Sequence, residues 1–147
     1  MRLTNYTDYS LRVLIYLATK NSTELSTIKE VAEVYGISKN HLMKVTYELG
    51  KLKVIETIRG RNGGIRLALP PSEINIGAVV RKSEEDFQIV ECFDADRDLC
   101  IISPVCGLKH VLNKALHAYL EVLDSYTLED LVKNKNELLD YFSMNRN

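Results

Sequence analysis

The chain has 147 residues, with 19 Lys and Arg against 20 Asp and Glu and a net charge of −1 at pH 7. That length is sufficient for one domain with a hydrophobic core or for two small lobes. No run of about 20 apolar residues is present, which argues against a membrane-spanning helix. The first residues form no apolar signal segment, so we expect a cytoplasmic protein whose thiols stay reduced.

The charge is divided unevenly along the chain. Residues 1–82 carry 13 Lys and Arg against 7 Asp and Glu, whereas residues 83–147 carry 6 against 13. A basic first half suits a polyanionic partner, and an acidic second half would repel one. We therefore expect any contact with nucleic acid to lie in the first half.

The first predicted helix runs from about Thr4 to Thr19. Its apolar residues recur at helical spacing and predict a side that faces the core: Leu11, Leu14, Ile15 and Ala18. Asp8 lies in an early turn of this helix. The positive end of a helix favours a carboxylate, which by itself is sufficient reason for an acid at this position.

A short helix, a turn and a longer helix are predicted next. Thr27 and Glu30 have the spacing of a capping box, and Gly36 permits the left-handed turn that ends the short helix. Ser38 is placed to cap the longer helix, which we predict from Lys39 to Leu52. This order of elements is typical of a helix-turn-helix.

The longer of these helices has two different faces. Its apolar residues recur every three or four positions and should pack inward: Leu42, Val45, Leu49 and Leu52. The other face is polar, and such a face can contact base edges or phosphates in a major groove. The residues expected to bind DNA there are Ser38, Lys39, Asn40, Lys44 and Tyr47. The alternative is a solvated charged face of the kind most surface helices carry.

A hairpin follows the helix-turn-helix directly. Residues 53–58 predict one strand, and the alternation in residues 65–69 predicts its partner. The glycine-rich connection between them carries Arg59, Arg61 and Asn62 at its tip. The negative potential of a minor groove attracts arginine side chains on a narrow tip. A helix-turn-helix followed by a basic wing predicts a DNA-binding domain.

Three further helices are predicted in the second half. Asn75 can cap a short helix that ends near Lys82, and Ser103-Pro104 is a helix-start signal for a long one. Apolar spacing continues to Tyr126 and gives a helix about 33 Å long, which a lobe this small cannot cover. We therefore expect a second copy of the chain to cover it in a two-fold homodimer. The last helix, capped by Thr127, should pack back over the core.

All three cysteines lie in one loop-like run: Cys92, Cys100 and Cys106, with four charged residues between the first two. Three thiolates need a fourth ligand to complete a tetrahedral zinc site. They suit an iron–sulfur cluster that has one ligand other than cysteine. A disulfide with a spare thiol, or three unconnected cysteines, is the alternative.

Three features in this order resemble the IscR/NsrR-type family of bacterial winged-helix transcription regulators. They are Ile37-Ser38 opening a recognition helix, residues 59–67 as a wing, and three cysteines before a long helix. Within the family, the chain is most similar to the nitric-oxide-sensing repressors. The resemblance implies a mainly α fold with a small β-hairpin wing, and a homodimer that binds double-stranded operator DNA. Residues 1–82 would form the winged helix-turn-helix domain, and residues 83–147 the cluster-binding loop and dimerisation helices.

The resemblance also implies a cofactor, one [4Fe-4S] cluster per subunit, with [2Fe-2S] as the alternative. Cys92, Cys100 and Cys106 match the cluster cysteines, and Asp8 matches the position from which a carboxylate of the other subunit completes the site. The repressor would bind its operator while the cluster is intact and release it when nitric oxide nitrosylates the cluster. The interval from Cys92 to Cys100 is long for the family, so the path of this loop is not defined by the resemblance.

Other functions stay open at this point. Family members that regulate cluster biogenesis use a histidine three residues after the last cysteine, where this chain has Lys109. That difference disfavours, without excluding, a sensor of iron or cluster supply. A metal-binding protein-interaction module is a further alternative. An enzyme is disfavoured because the histidines (His41, His110 and His117) are dispersed and no catalytic arrangement is indicated.

Overall fold

The computed structural model describes residues 2–145, and over that range the chain is mainly helical. Seven α-helices and one antiparallel hairpin follow in this order: α1 Asn5–Ala18, α2 Ile28–Tyr35, α3 Lys39–Lys51, β1 Ile55–Ile58, β2 Gly64–Leu67, α4 Ile76–Ser83, α5 Gly107–Asp124, α6 Leu128–Leu131 and α7 Lys135–Met144. Single 3-10 turns lie at Pro71–Glu73, Glu91–Phe93 and Ser103–Val105. The predicted fold class, mainly α with a small hairpin wing, is confirmed.

Helix α1 lies at the centre of the fold and contacts α3, α4, α6 and β2. Its buried face is wider than the predicted stripe. Leu14 and Ala18 are buried as predicted, whereas Leu11 and Ile15 are only partly buried. Val13, Tyr16 and Leu17 are buried as well. A helix that is covered from several sides buries more than one stripe, and a single periodic pattern does not show this.

The helix-turn-helix forms as predicted, with one difference in its caps. The Thr27 hydroxyl accepts a hydrogen bond from the Glu30 amide at 3.0 Å, and Gly36 ends α2 in the left-handed region at φ 63°. Leu42, Val45 and Leu49 of α3 are buried. Ser38 does occupy the N-cap position of α3, but within residues 2–145 its hydroxyl makes no capping hydrogen bond.

The wing is a four-residue antiparallel ladder whose register pairs Ile55 with Leu67 and Ile58 with Gly64. Both strands are shorter than predicted. A third segment joins them, because Ser26 exchanges two backbone hydrogen bonds with Ile65, at 3.0 and 2.8 Å. A Cβ at Gly64 would lie 2.6 Å from the Ser26 carbonyl oxygen, so this close approach requires glycine.

Two predicted helix boundaries in the second half were wrong. The long helix begins at Gly107 rather than at Ser103-Pro104, because these two residues form a 3-10 turn and Cys106 becomes the N-cap. Its 18 residues make it about 27 Å long. The last helix is divided into α6 and α7 by a turn over residues 132–134.

The turn between α6 and α7 lets the end of the chain pack onto the helix-turn-helix. The Phe142 ring lies 5.1 Å from that of Tyr16 and 5.5 Å from that of Tyr35, measured between centroids. The Tyr16 hydroxyl donates to the Glu30 carboxylate, and the Tyr35 hydroxyl donates to the Arg12 carbonyl at 3.1 Å. This aromatic cluster joins α7, α1 and α2 in one core.

Helix α5 packs through its C-terminal end and leaves much of its apolar surface open. Arg81 of α4 binds the Asp124 carboxylate through both of its terminal nitrogens. Within the described residues no side chain of α5 is buried, and Leu108, Val111 and Val122 are each about 60% exposed. In residues 2–145 no helix combines the length and the apolar character that crossing a membrane requires.

Candidate DNA-binding surface and cysteine loop

The outer face of α3 and its N-cap carry the helix-turn-helix side chains that the sequence singled out for DNA contact. All are exposed: Ser38, Lys39, Asn40, Lys44 and Tyr47, the last by 68%. Met43 lies on the same face and is 50% exposed. Met43 was not among the predicted contacts, because that prediction rested on polar residues; an apolar side chain at this position is of the kind that can contact a thymine methyl group.

The cations of this face differ in their intramolecular partners. Lys51 binds the Glu48 carboxylate at 2.9 Å, and this hydrogen bond raises the pKa of Lys51. In the part of the chain that the structure describes, neither Lys39 nor Lys44 is in an ion pair. Lys39 and Lys44 are therefore available to a phosphate without loss of an internal partner, whereas Lys51 is not.

The wing shows the same division between its tip and its strands. Arg66 of β2 lies opposite Glu56 of β1 and binds its carboxylate. Arg59, Arg61 and Asn62 lie beyond the ladder and are exposed. The structure thus separates an arginine that stabilises the hairpin from two that project from its end.

The three cysteines are free thiols on separate parts of one long connection between α4 and α5. Cys92 lies on the 3-10 turn Glu91–Phe93 and is partly buried. Cys100 is exposed. Cys106 is the N-cap of α5, and its sulfur accepts a hydrogen bond from the Lys109 amide at 3.4 Å.

A carboxylate that the sequence did not single out organises the region around Cys100. Asp98 accepts hydrogen bonds from the Cys100 amide at 3.2 Å, from the Ser103 hydroxyl and from the Lys109 ammonium at 3.3 Å. These contacts, chiefly the one from Ser103, hold the pKa of Asp98 below its ordinary value. The signal for Asp98 in the sequence was its position two residues before Cys100, because an aspartate can accept a hydrogen bond from the amide two residues later in an Asx-type turn.

Asp8, the predicted fourth ligand, lies on α1 and has a partner in its own helix. Its two carboxylate oxygens bind the Arg12 guanidinium at 2.8 and 3.1 Å, and its side chain is 43% exposed. An exposed carboxylate that is already paired with arginine is what an ordinary helix surface provides. The structure of the single chain gives Asp8 this one partner among the described residues.

The chemistry of the donors fits an iron–sulfur cluster, because soft thiolates are its usual ligands. Among residues 2–145, no three His, Cys, Asp or Glu side chains are close enough to hold a single metal ion. A [4Fe-4S] cluster binds each thiolate to a different iron, so its ligands stand farther apart than those of a single ion. Cys92, Cys100 and Cys106 would hold the group.

Comparison with known proteins supports a regulatory role. The Rrf2 family, described as iron-dependent transcriptional regulator, matches residues 3–134. The HTH-type transcriptional regulator NsrR of Bacillus subtilis strain 168 is 69% identical over 144 residues, which cover 98% of this chain and 99% of that protein. NsrR of Bacillus licheniformis is 67% identical over 138 residues, covering 94% and 96%. Among solved structures, T. potens IscR is similar with a TM-score of 0.74 and 25% identity, covering 94% of this chain and 90% of that one.

Proposed function

We propose that this chain, which belongs to the Rrf2 family of transcriptional regulators and is not an enzyme, is a repressor that senses nitric oxide through an iron–sulfur cluster. The observation that carries the proposal is the combination of three free thiols in one loop with Lys39 and Lys44 on the recognition helix, neither of which is in an ion pair within residues 2–145. The protein would bind operator DNA as a homodimer while the cluster is intact, and release it when the cluster is nitrosylated.

The recognition helix and the wing would contact different parts of the DNA. Asn40 and Tyr47 lie on the face that would enter the major groove, where amide and aromatic side chains can meet base edges. Lys39 and Lys44, with the Ser38 hydroxyl at the helix start, would contact phosphates. Arg59, Arg61 and Asn62 at the wing tip would reach the adjacent minor groove.

The cluster-binding residues would come from both subunits. Cys92, Cys100 and Cys106 supply thiolates from one chain, and Asp8 supplies a carboxylate from its partner. When bound, a [4Fe-4S] cluster, or a [2Fe-2S] cluster as the alternative, supplies iron that nitric oxide attacks. A carboxylate is a harder ligand than thiolate, so the Asp8 position would be the weakest attachment of the group. In the single chain, Asp8 binds Arg12 instead.

A direct contact joins the cysteine-bearing connection to the first helix. The Glu84 carboxylate, at the end of α4, accepts hydrogen bonds from the Thr4 amide at 2.8 Å and from the Thr4 hydroxyl at 3.0 Å. Thr4 is the N-cap of α1, and α1 packs on α3. A movement of the connection would therefore be transmitted to the recognition helix.

This coupling needs little free energy to control DNA binding. Two half-sites one helical turn apart are bound together only when the two recognition helices have the matching separation. A change of about 100-fold in operator affinity corresponds to about 3 kcal/mol of differential stabilisation. We assign this difference to the ligand that would join α1 of one subunit to the loop of the other.

The test uses anaerobically reconstituted protein and an operator fragment in a gel-shift titration. Addition of nitric oxide should abolish or strongly weaken binding, and unchanged binding would reject the proposal. Replacing Asp8 with Ala should alter the cluster's absorption spectrum or its response to nitric oxide, and Asp140→Ala, at an exposed position of α7, should do neither. A response to cluster loading without a response to nitric oxide would instead identify a sensor of cluster supply.

A further inference from the structure

The loop from Asp98 to Cys106 has an inverted distribution of polar and apolar side chains. Ser103 is only 8% exposed, whereas Leu99, Ile101 and Val105 are exposed by 84, 94 and 83%. Apolar packing within the single chain therefore contributes little to the shape of this loop. Its conformation depends instead on the hydrogen bonds that converge on Ser103.

Those hydrogen bonds hold two of the three cysteines relative to each other. The Ser103 amide donates to the Cys100 carbonyl at 3.0 Å, and the Ser103 carbonyl accepts from the Cys106 amide at 3.4 Å. One residue thus binds the backbone of both cysteines. The Asp98 carboxylate adds a third restraint because it accepts from the Cys100 amide.

Lys109 closes this network from helix α5. Its ammonium donates to the Ser103 hydroxyl at 2.8 Å and to the Asp98 carboxylate at 3.3 Å. Its amide donates to the Cys106 sulfur at 3.4 Å. The Lys109 side chain is 34% exposed and that of Asp98 is 19% exposed, so the ion pair is partly screened from water.

We propose that Asp98, Ser103 and Lys109 form a clasp that positions Cys100 and Cys106 for the cluster before any iron is bound. Cys92 lies on a different turn and joins from outside the clasp. The proposal rests on the proposed function in one respect, since it takes the iron–sulfur cluster to be the group these thiols receive. The clasp residues are positioning residues and not ligands. In this chain, the position three residues after the last cysteine serves to shape the loop.

The clasp also neutralises the Asp98 carboxylate, which would otherwise add a negative charge beside the cysteines. Thiolates that hold a cluster bring several negative charges into the loop. The Lys109 ammonium stands at the turn that joins Cys100 to Cys106 and is directed toward that loop by Asp98 and Ser103. Removing the charge should therefore loosen the empty loop and shorten the lifetime of the loaded one.

The decisive experiment measures hydrogen exchange in metal-free protein kept reduced. Lys109→Met removes the charge and the donors while keeping a side chain of similar length. Exchange of the amides in residues 98–106 should be about fivefold faster, as expected for the loss of a partly exposed ion pair. Lys109→Arg should exchange like the natural chain. Lys114→Met, an exposed position on the same helix, is the matched control and should also leave exchange unchanged.

A second measurement follows the loss of cluster absorbance when an iron chelator is added anaerobically. Lys109→Met and Ser103→Ala should lose absorbance about fivefold faster than the natural chain, and circular dichroism should show the same helix content in each variant. Unchanged exchange in residues 98–106 of the metal-free Lys109→Met protein would overturn the clasp even if the natural protein responds to nitric oxide. Conversely, a clasp that loosens as expected in a protein indifferent to nitric oxide would refute the proposed signal and leave the loop assignment standing.

Discussion

Replacing Arg61 at the wing tip with Ala should change the salt dependence of operator affinity more clearly than the affinity at any single salt concentration. Each phosphate charge that a side chain neutralises, by direct contact or from within a groove, contributes about 0.9 to the slope of log affinity against log salt. The proposed dimer has two wings, so one substitution removes two such charges and should lower the magnitude of the slope by about 1.8. Between about 50 and about 200 mM salt, this difference amounts to about 12-fold in relative affinity.

The assay is fluorescence anisotropy with a labelled operator, carried out anaerobically at four or more salt concentrations. Arg59→Ala should have a similar effect, and the double variant should show the sum of both because each arginine projects separately from the hairpin. Lys133→Ala removes the same charge from an exposed lysine in the acidic half and should leave the slope unchanged. Equal slopes for the natural chain and both arginine variants would remove the wing tip from the DNA interface.

Three further predictions concern stability. Thr27→Ala removes the hydroxyl that caps α2 and should lower the free energy of unfolding, measured in urea titrations, by about 1 kcal/mol. The control is Thr23→Ala at an exposed position. An equal effect of the two substitutions would contradict the capping role of Thr27. Phe142→Ala should lower the free energy of unfolding by about 3 kcal/mol because it removes one ring from the aromatic cluster. Tyr141→Ala, at a position 67% exposed, should lower it little. Similar losses for the two variants would mean that Phe142 does not anchor α7. Hydrogen bonds from Lys133 and Thr127 lower the pKa of Asp130 to about 2, so its stabilisation is present above the ordinary value of 3.8 and is lost as the pH falls toward 2. Asp130→Asn should make the melting temperature depend less on pH between about 2 and 3.8. The same dependence on pH in the natural chain and in the variant would refute this role of Asp130.

The helix-turn-helix was predictable because its signals are local. Thr27, Gly36 and the inward residues of α3 each follow from a cap, a left-handed turn or a 3.6-residue period. The pairing of Ser26 with Ile65 was not predictable in the same way, since a one-residue bridge between segments 39 positions apart leaves no periodic trace. Tertiary contact determined that part of the fold.

Only part of the candidate site could be predicted from the sequence. The cysteines were recognisable by type and spacing, and the arginines by their place between two strands. The Asp98 clasp was not recognisable, because Asp98, Ser103 and Lys109 are ordinary residues whose roles depend on where a loop turns. The helix-start signal at Ser103-Pro104 pointed to the right region, but a 3-10 turn begins there and α5 begins only after Cys106.

The bridge between Ser26 and Ile65 has a mechanical consequence for DNA recognition. Ser26 immediately precedes the cap of α2, so two backbone hydrogen bonds fasten the hairpin to the start of the helix-turn-helix. The hairpin and α3 should therefore move as one unit. In the proposed homodimer, a signal that arrives through α1 would change the distance between two such units and leave the geometry within each unit unchanged.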